Sequence, residues 1–274
     1  MVSRFRVSLV LGLYLISASA EARTSPDASA VDDGAGYKIV IIEQQQNHPL
    51  GAGVDTGFGD AVEFSKTYPL IASPLTQDAN AFNAKIRTML PKWWNGPSDN
   101  TQKSDPDTDI TLVCQPTGEP PPVDGKSPDA GGMLPGVISM ACMNDRYRHG
   151  ALHGGARYWG FNWLVDARRR LKASDVFAPG TAWNPPLAAL LDADRNANGT
   201  PAVPLQPLNV ADPGHWVVAR NGLGFIYAYA EFFGAEDGGA GAFDLIPWSK
   251  LRPYLNPHGI VPRQDWNLPL PDNS

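Results

Sequence analysis

The chain of 274 residues is short of cysteine and of charge. It holds two cysteines, Cys114 and Cys142, and Asp, Glu, Lys and Arg together make up 18% of it. No Cys-x-x-Cys occurs, which excludes the dithiol redox motif. No G-x-S-x-G occurs either, so the nucleophile elbow of the α/β-hydrolases is absent. The glycine-rich run "GAGVDTGFG", residues 51–59, fails the G-x-G-x-x-G pattern and no helical period follows it, so a phosphate cradle is not expected there. After the first 22 residues no apolar stretch approaches the roughly 20 residues that a membrane-spanning helix needs. The formal net charge is −6, a balance that disfavours nucleic acid and anionic membrane as partners.

What is present begins with an export pattern. Arg4 and Arg6 precede an apolar core from Val7 to Ile16, and the small residues Ser17 to Ala22 follow. That is the order of a secretory signal, so residues 1–22 are read as a cleaved signal peptide and the mature chain as periplasmic or secreted. Cleavage after Ala22 removes two arginines and one glutamate and leaves a formal charge of −7. In an oxidising compartment an even cysteine count reads as a disulfide, here Cys114 to Cys142. Such a loop contributes about 3.6 kcal/mol in the chain-entropy account.

Glycine (27) and proline (26) are abundant, which gives a loop-rich globular chain. Residues 23–36 are small, polar and without period, and are expected to form a flexible linker. "YKIVIIEQ" from Tyr37 is the first strand, and "DAVEFSKTYPLI" the second, which Pro69 is expected to close. In "TQDANAFNAKIRTML" the residues Phe82, Ile86, Met89 and Leu90 recur at helical spacing behind Thr76 or Asp78 as cap, and Pro91 ends the run. "ITLVC" and "VISMACMNDRY" put the two cysteines on neighbouring strands, with the Pro- and Gly-rich stretch 116–136 between them. "NPPLAALLDAD" predicts a short helix with Leu187, Leu190 and Leu191 on one face and Asn184 as its cap. "HWVVARNGLGFIYAYAEF" predicts a hairpin whose type I′ turn is Asn221-Gly222. "FDLIPWSKLRPYL" gives a final strand and a short helix stopped near Pro253. The expected class is α+β, mainly antiparallel sheets with a few short helices in two packed lobes, 37–165 and 166–260, followed by a tail at 261–274.

Motifs for chemistry are sparse. His149 and His153 stand four apart, but Gly150, Gly154 and Gly155 oppose a helix, and in an extended chain four residues span roughly 13 Å, too far for one shared metal ion. His153 is read as a strand or bulge residue acting as a polar peg. The stretch from Asp192 to Thr200 begins like a calcium loop, then has Ala197 where glycine is required and Val203 where a bidentate carboxylate is required, and is read as a solvated helix end. Asp145, Glu231, Glu236 and Asp237 supply carboxylates with no diagnostic spacing. No metal, cofactor or catalytic residue is assigned.

Two stretches carry a resemblance. "DRY" at 145–147, "GALH" at 150–153 and "YWGFNWLVDARRRLKASDVF", and then "RNGLGFIYAYAEFFGAEDGGAGAFDLIPWSKLRPYL", resemble the exported RsiV-like family of domains of unknown function. Residues 60–90, with "YPLI" before the helix containing Asn83, resemble the N-terminal companion domain found beside the catalytic domain of the peptidoglycan deacetylase PdaC. The resemblance implies two α+β lobes and, for the best-known member, lysozyme binding by an anti-sigma factor that senses it. That member carries a transmembrane anchor where this chain shows a cleavable signal, and no deacetylase domain is present, so neither transmembrane signalling nor deacetylation transfers. His153, Asp175, Phe177, Gly222, Glu231 and Pro247 match family positions. Gly222 is expected to serve the turn, Phe177 the core, and His153 and Glu231 as pegs between lobes. The leading expectation is a non-catalytic binding module, with a basic muramidase or another wall-degrading enzyme as partner, whose cleft receives an extended loop of this chain at 118–132 or 236–241. The rivals are a glycan-acting hydrolase or deacetylase using Asp145, Glu231 and His153, and a structural envelope protein.

Overall fold

The computed structural model describes residues 31–32, 36–49, 61–89, 108–123, 127–152, 154–197, 209–228 and 241–262. Seven strands form one sheet in sequence order: β1 (Val31–Asp32), β2 (Lys38–Pro49), β3 (Ala61–Ser73), β4 (Thr108–Pro116), β5 (Val137–Arg148), β6 (Gly155–Leu164) and β7 (Arg169–Arg170). Neighbours are antiparallel except β3 and β4, which run parallel from Phe64 opposite Ile110 to Thr67 opposite Val113. Parallel neighbours need a crossover of a dozen or more residues, and α1 (Gln77–Met89) lies in that connection. A second sheet is built from β8 (Trp216–Val218), β9 (Gly222–Ala228) and β10 (Gly241–Pro247), with β9 central. The short helix α2 (Ala173–Val176), α3 (Asn184–Ala197) and α4 (Trp248–Leu251) complete the α+β architecture. Among the described residues no helix is long and apolar enough to cross a membrane.

Each face of the large sheet is covered by a different layer. Phe82 and Ile86 of α1 are buried against Ile138, Met140, Phe161 and Trp163, and Phe82 meets the Phe161 ring edge-on at 6.4 Å. The Thr76 hydroxyl oxygen caps α1 by accepting from the Ala79 amide at 3.1 Å. Buried Asn83 then fixes the helix to β3, accepting from the Ile71 amide and donating to the Ile71 carbonyl, both at 2.9 Å. Pro69 does not close β3, which runs on to Ser73. The pairing with β4 ends at Thr67, so at Pro69 one edge of the strand has no ladder to interrupt.

The second sheet packs on the opposite face. Ala141 and Tyr158 share a buried cluster with Val217, Ile226, Phe243 and Leu245. The layers touch most closely at Gly160, where a Cβ would lie 1.7 Å from the Trp216 carbonyl oxygen. Beyond the second sheet, Leu187 and Leu191 of α3 are buried with Phe177, Trp216, Phe225 and Trp248, while Leu190 is partly covered. The helix α3 extends past the expected stop to Ala197, so Asp192, Asp194 and Asn196 are helical and no calcium-type loop begins there.

Cys114 and Cys142 face each other in register and are joined by a disulfide, with Cα atoms 4.1 Å apart. The hairpin at 216–228 forms, but not with the expected turn. Val218 pairs with Leu223 and the Ala219 amide donates to the Gly222 carbonyl at 3.0 Å, which leaves Arg220-Asn221 as the loop. Neither Asn221 nor Gly222 has a positive φ. The loop is held from outside: the Arg220 amide donates to the Gly132 carbonyl at 2.9 Å and the Asn221 amide to the Ala130 carbonyl at 3.1 Å. Gly222 is required for another reason, because a Cβ there would come 2.4 Å from the Ile246 carbonyl oxygen on the adjacent strand.

Candidate functional site: an acidic cleft between the sheets

The residues singled out by the sequence separate into structural posts and positions outside the described residues. Asp175 lies in the first turn of α2, where its carboxylate accepts from the Lys172 amide at 2.7 Å and closes the cap. The same carboxylate receives two parallel hydrogen bonds from Arg169, each 2.7 Å. The Arg169 hydrogen bonds, with help from the Lys172 amide and against partial burial, hold the Asp175 carboxyl below its ordinary range. Phe177 is buried, stacked on Trp183 at 4.4 Å and edge-on to Trp216 at 5.6 Å. Pro247 ends β10 opposite Gly222 and precedes α4, where a residue with no amide proton costs the helix nothing. His153 and Glu231 lie outside the described residues, as do residues 236–240 and the export segment. Before His153 the chain turns at His149 and Gly150, and after it β6 starts at Gly155.

His149 is tied elsewhere. Its Nε2 sits 3.0 Å from Asp109, whose other carboxylate oxygen accepts from the Glu63 amide at 2.7 Å. The pair therefore pins the β5–β6 turn to the starts of β3 and β4. Among the described residues no group of three or more His, Cys, Asp or Glu could hold a metal ion.

Sequence reasoning missed the polar bolt between the sheets. Asn162, buried on β6, accepts from the Ser139 hydroxyl at 2.6 Å and from the Val218 amide at 3.0 Å, and donates to the Trp216 carbonyl at 2.7 Å. Its side-chain amide thus does for β8 what a neighbouring strand's backbone would do. The signal was visible as a lone amide in the apolar run "YWGFNWL", where a buried polar group demands partners.

Beside this bolt a cleft of about 270 Å³ opens between the second sheet and the loop 116–130. Ala141, Val217 and Phe243 form its apolar floor, and Pro116, Pro120, Pro121 and Pro128 its walls. The charged lining residues, Glu119 and Asp129, are both acidic. The loop's described residues are tied to the body of the protein. Thr117 donates its hydroxyl to the Ser139 carbonyl at 3.0 Å, and the Asn221 side chain donates to the Asp129 carbonyl at 3.2 Å. Prolines further restrict its conformers, so the cleft is preorganised. It suits a ligand segment with an apolar body and a cationic end.

No protein-family model matches the chain, and no curated protein does. Solved structures share the fold. A member of the DUF3298 family from Bacteroides fragilis superposes with a TM-score of 0.56 at 12% identity over 83% of this chain and 96% of its own. A DUF3298 family protein from Pseudomonas aeruginosa gives a TM-score of 0.50 at 12% identity, covering 82% of this chain and 97% of its own. The shared feature is the α+β fold.

Proposed function

We propose that the chain is an exported binding module of the RsiV-like kind whose partner is a basic wall-degrading enzyme such as a lysozyme. The observation that carries this reading is the cleft between the sheets, where an apolar floor is rimmed by Glu119 and Asp129 with no basic lining residue among the described ones. A lysine or arginine entering it lays its aliphatic stem on Ala141, Val217 and Phe243 and its charge against the carboxylates. The acidic net charge of the chain favours encounter with a basic protein at long range. The disulfide and the N-terminal signal pattern both suit an oxidising compartment outside the cytoplasm. In this reading the receiving cleft belongs to this chain and not to the partner, which enters it.

Calorimetric titration with purified lysozymes at low ionic strength tests the reading. Binding at micromolar concentration is expected; no heat of binding at that concentration removes lysozymes as partners.

A further inference from the structure

We infer that the hairpin β5–β6 carries a second binding site, on the sheet face opposite the cleft, for a sugar that bears a carboxylate. The register places Asn144 opposite Arg157 and Arg146 opposite Gly155, so the two arginines are diagonal neighbours on one face, roughly 7–8 Å apart. Together with Trp159 they line a cavity of about 620 Å³, within the roughly 300–1,000 Å³ typical of small-molecule sites.

Three features mark it as a receptor and not a solvated strand surface. Arg146 and Arg157 are exposed, and neither has an ion-pair or hydrogen-bond partner among the described residues, although the chain as a whole is acidic. Like charges set side by side repel, and an anion shared between them reverses the sign of that interaction. Second, a Cβ at Gly155 would meet nothing within 4 Å, so open space lies over the backbone beside Arg146. Third, Trp159 is half-buried at the edge of the same cavity and offers an aromatic platform.

A carboxylate between two guanidinium groups, with an apolar face on the indole and a hydroxyl or acetamido group on Asn144, is the chemistry of an acidic sugar. A polyanion is less suited: among the described residues that line the cavity two are cationic, and the net charge of −6 repels a long chain of phosphates.

The test is a titration of the full chain, followed by heteronuclear NMR at the tryptophan indole signals, with N-acetylmuramic acid and with N-acetylglucosamine, which lacks the carboxylate-bearing ether. Inorganic phosphate is the third ligand. Saturable millimolar binding of the acid is expected, with the neutral sugar at least about tenfold weaker. Arg146→Gln and Arg157→Gln should each weaken the acid about tenfold, and Gly155→Leu should abolish binding by filling the space while leaving both charges in place. The inference is overturned if the acid does not bind, if the three variants bind it as the parent does, or if phosphate binds as tightly with the same arginine dependence. Unchanged spectra elsewhere in each variant establish that these surface substitutions leave the fold intact.

Discussion

Alternate residues of β5 serve two regions with opposite character. Ala141 helps to floor the acidic cleft, whereas Asn144 and Arg146, facing the other way, belong to the arginine patch. The cleft needs both sheets and the tied loop 116–130, so it exists only while the layers stay packed. The patch needs nothing beyond its own hairpin. The contrast teaches that one pleated strand can support a site made by tertiary packing and another made by register alone.

The largest expected effect separates the two outright. Gly160→Ala forces a methyl group into the Trp216 carbonyl, which the structure leaves only 1.7 Å from that Cβ position. The second sheet must move, at a cost on the order of 4 kcal/mol or more. Thermal unfolding should drop steeply and ligand capture by the cleft should be lost. Asn162→Ala comes next. It strands the Ser139 hydroxyl, the Trp216 carbonyl and the Val218 amide, with an expected loss of ~3 kcal/mol in denaturant unfolding and a weakened cleft. By comparison, Asn83→Ala on the helix-covered face strands only the two backbone groups of Ile71, and ~2 kcal/mol is expected. An equal or greater loss from Asn83 would break the ranking of the two faces.

Smaller effects concern charge. Asp175→Ala removes the cap of α2 and the partner of Arg169, for ~1–2 kcal/mol at neutral pH. Because the folded-state pKa of Asp175 is depressed, its contribution is present above the unfolded carboxylate pKa and is lost as pH falls through the folded value. The variant should therefore show a flatter acid limb in a plot of stability against pH. The smallest effect is expected at Lys66, which lies in the same row of the sheet as Leu112, Asn144 and Arg157. Burial lowers its pKa from 10.5 to about 8. The unfolded chain then holds more protons than the folded one between those values, so stability rises with pH across that window. Lys66→Met should abolish the rise and add about 1 kcal/mol near neutrality.

Much of this architecture was legible in the sequence because it is local. The 3.6-residue period of Phe82, Ile86 and Met89 marked α1, β-branched runs marked the strands, and the cysteines fell on neighbouring strands as their flanks suggested. The turn residues misled where packing overrode local preference. Asn221-Gly222 reads as a type I′ turn, yet the loop is Arg220-Asn221, because the carbonyls of Ala130 and Gly132 hold its amides and Gly222 is needed beside Ile246. Pro69 reads as a strand end, yet its unpaired edge lets β3 continue. The sites were the least legible part. Glu119 and Val217, or Arg146 and Gly155, become neighbours only once layer packing and register are known, and no spacing in the chain announces either.

Whether the acidic cleft captures a basic partner is tested most directly by removing the charge of its two carboxylates. Calorimetry of a lysozyme against the parent chain and against the double variant Glu119→Gln, Asp129→Asn, each at low and at physiological ionic strength, separates this cleft from any other acidic surface. The account predicts micromolar binding that weakens about tenfold or more in the double variant and falls as salt is raised. Binding that is indifferent to both substitutions, or absent at low salt, contradicts it.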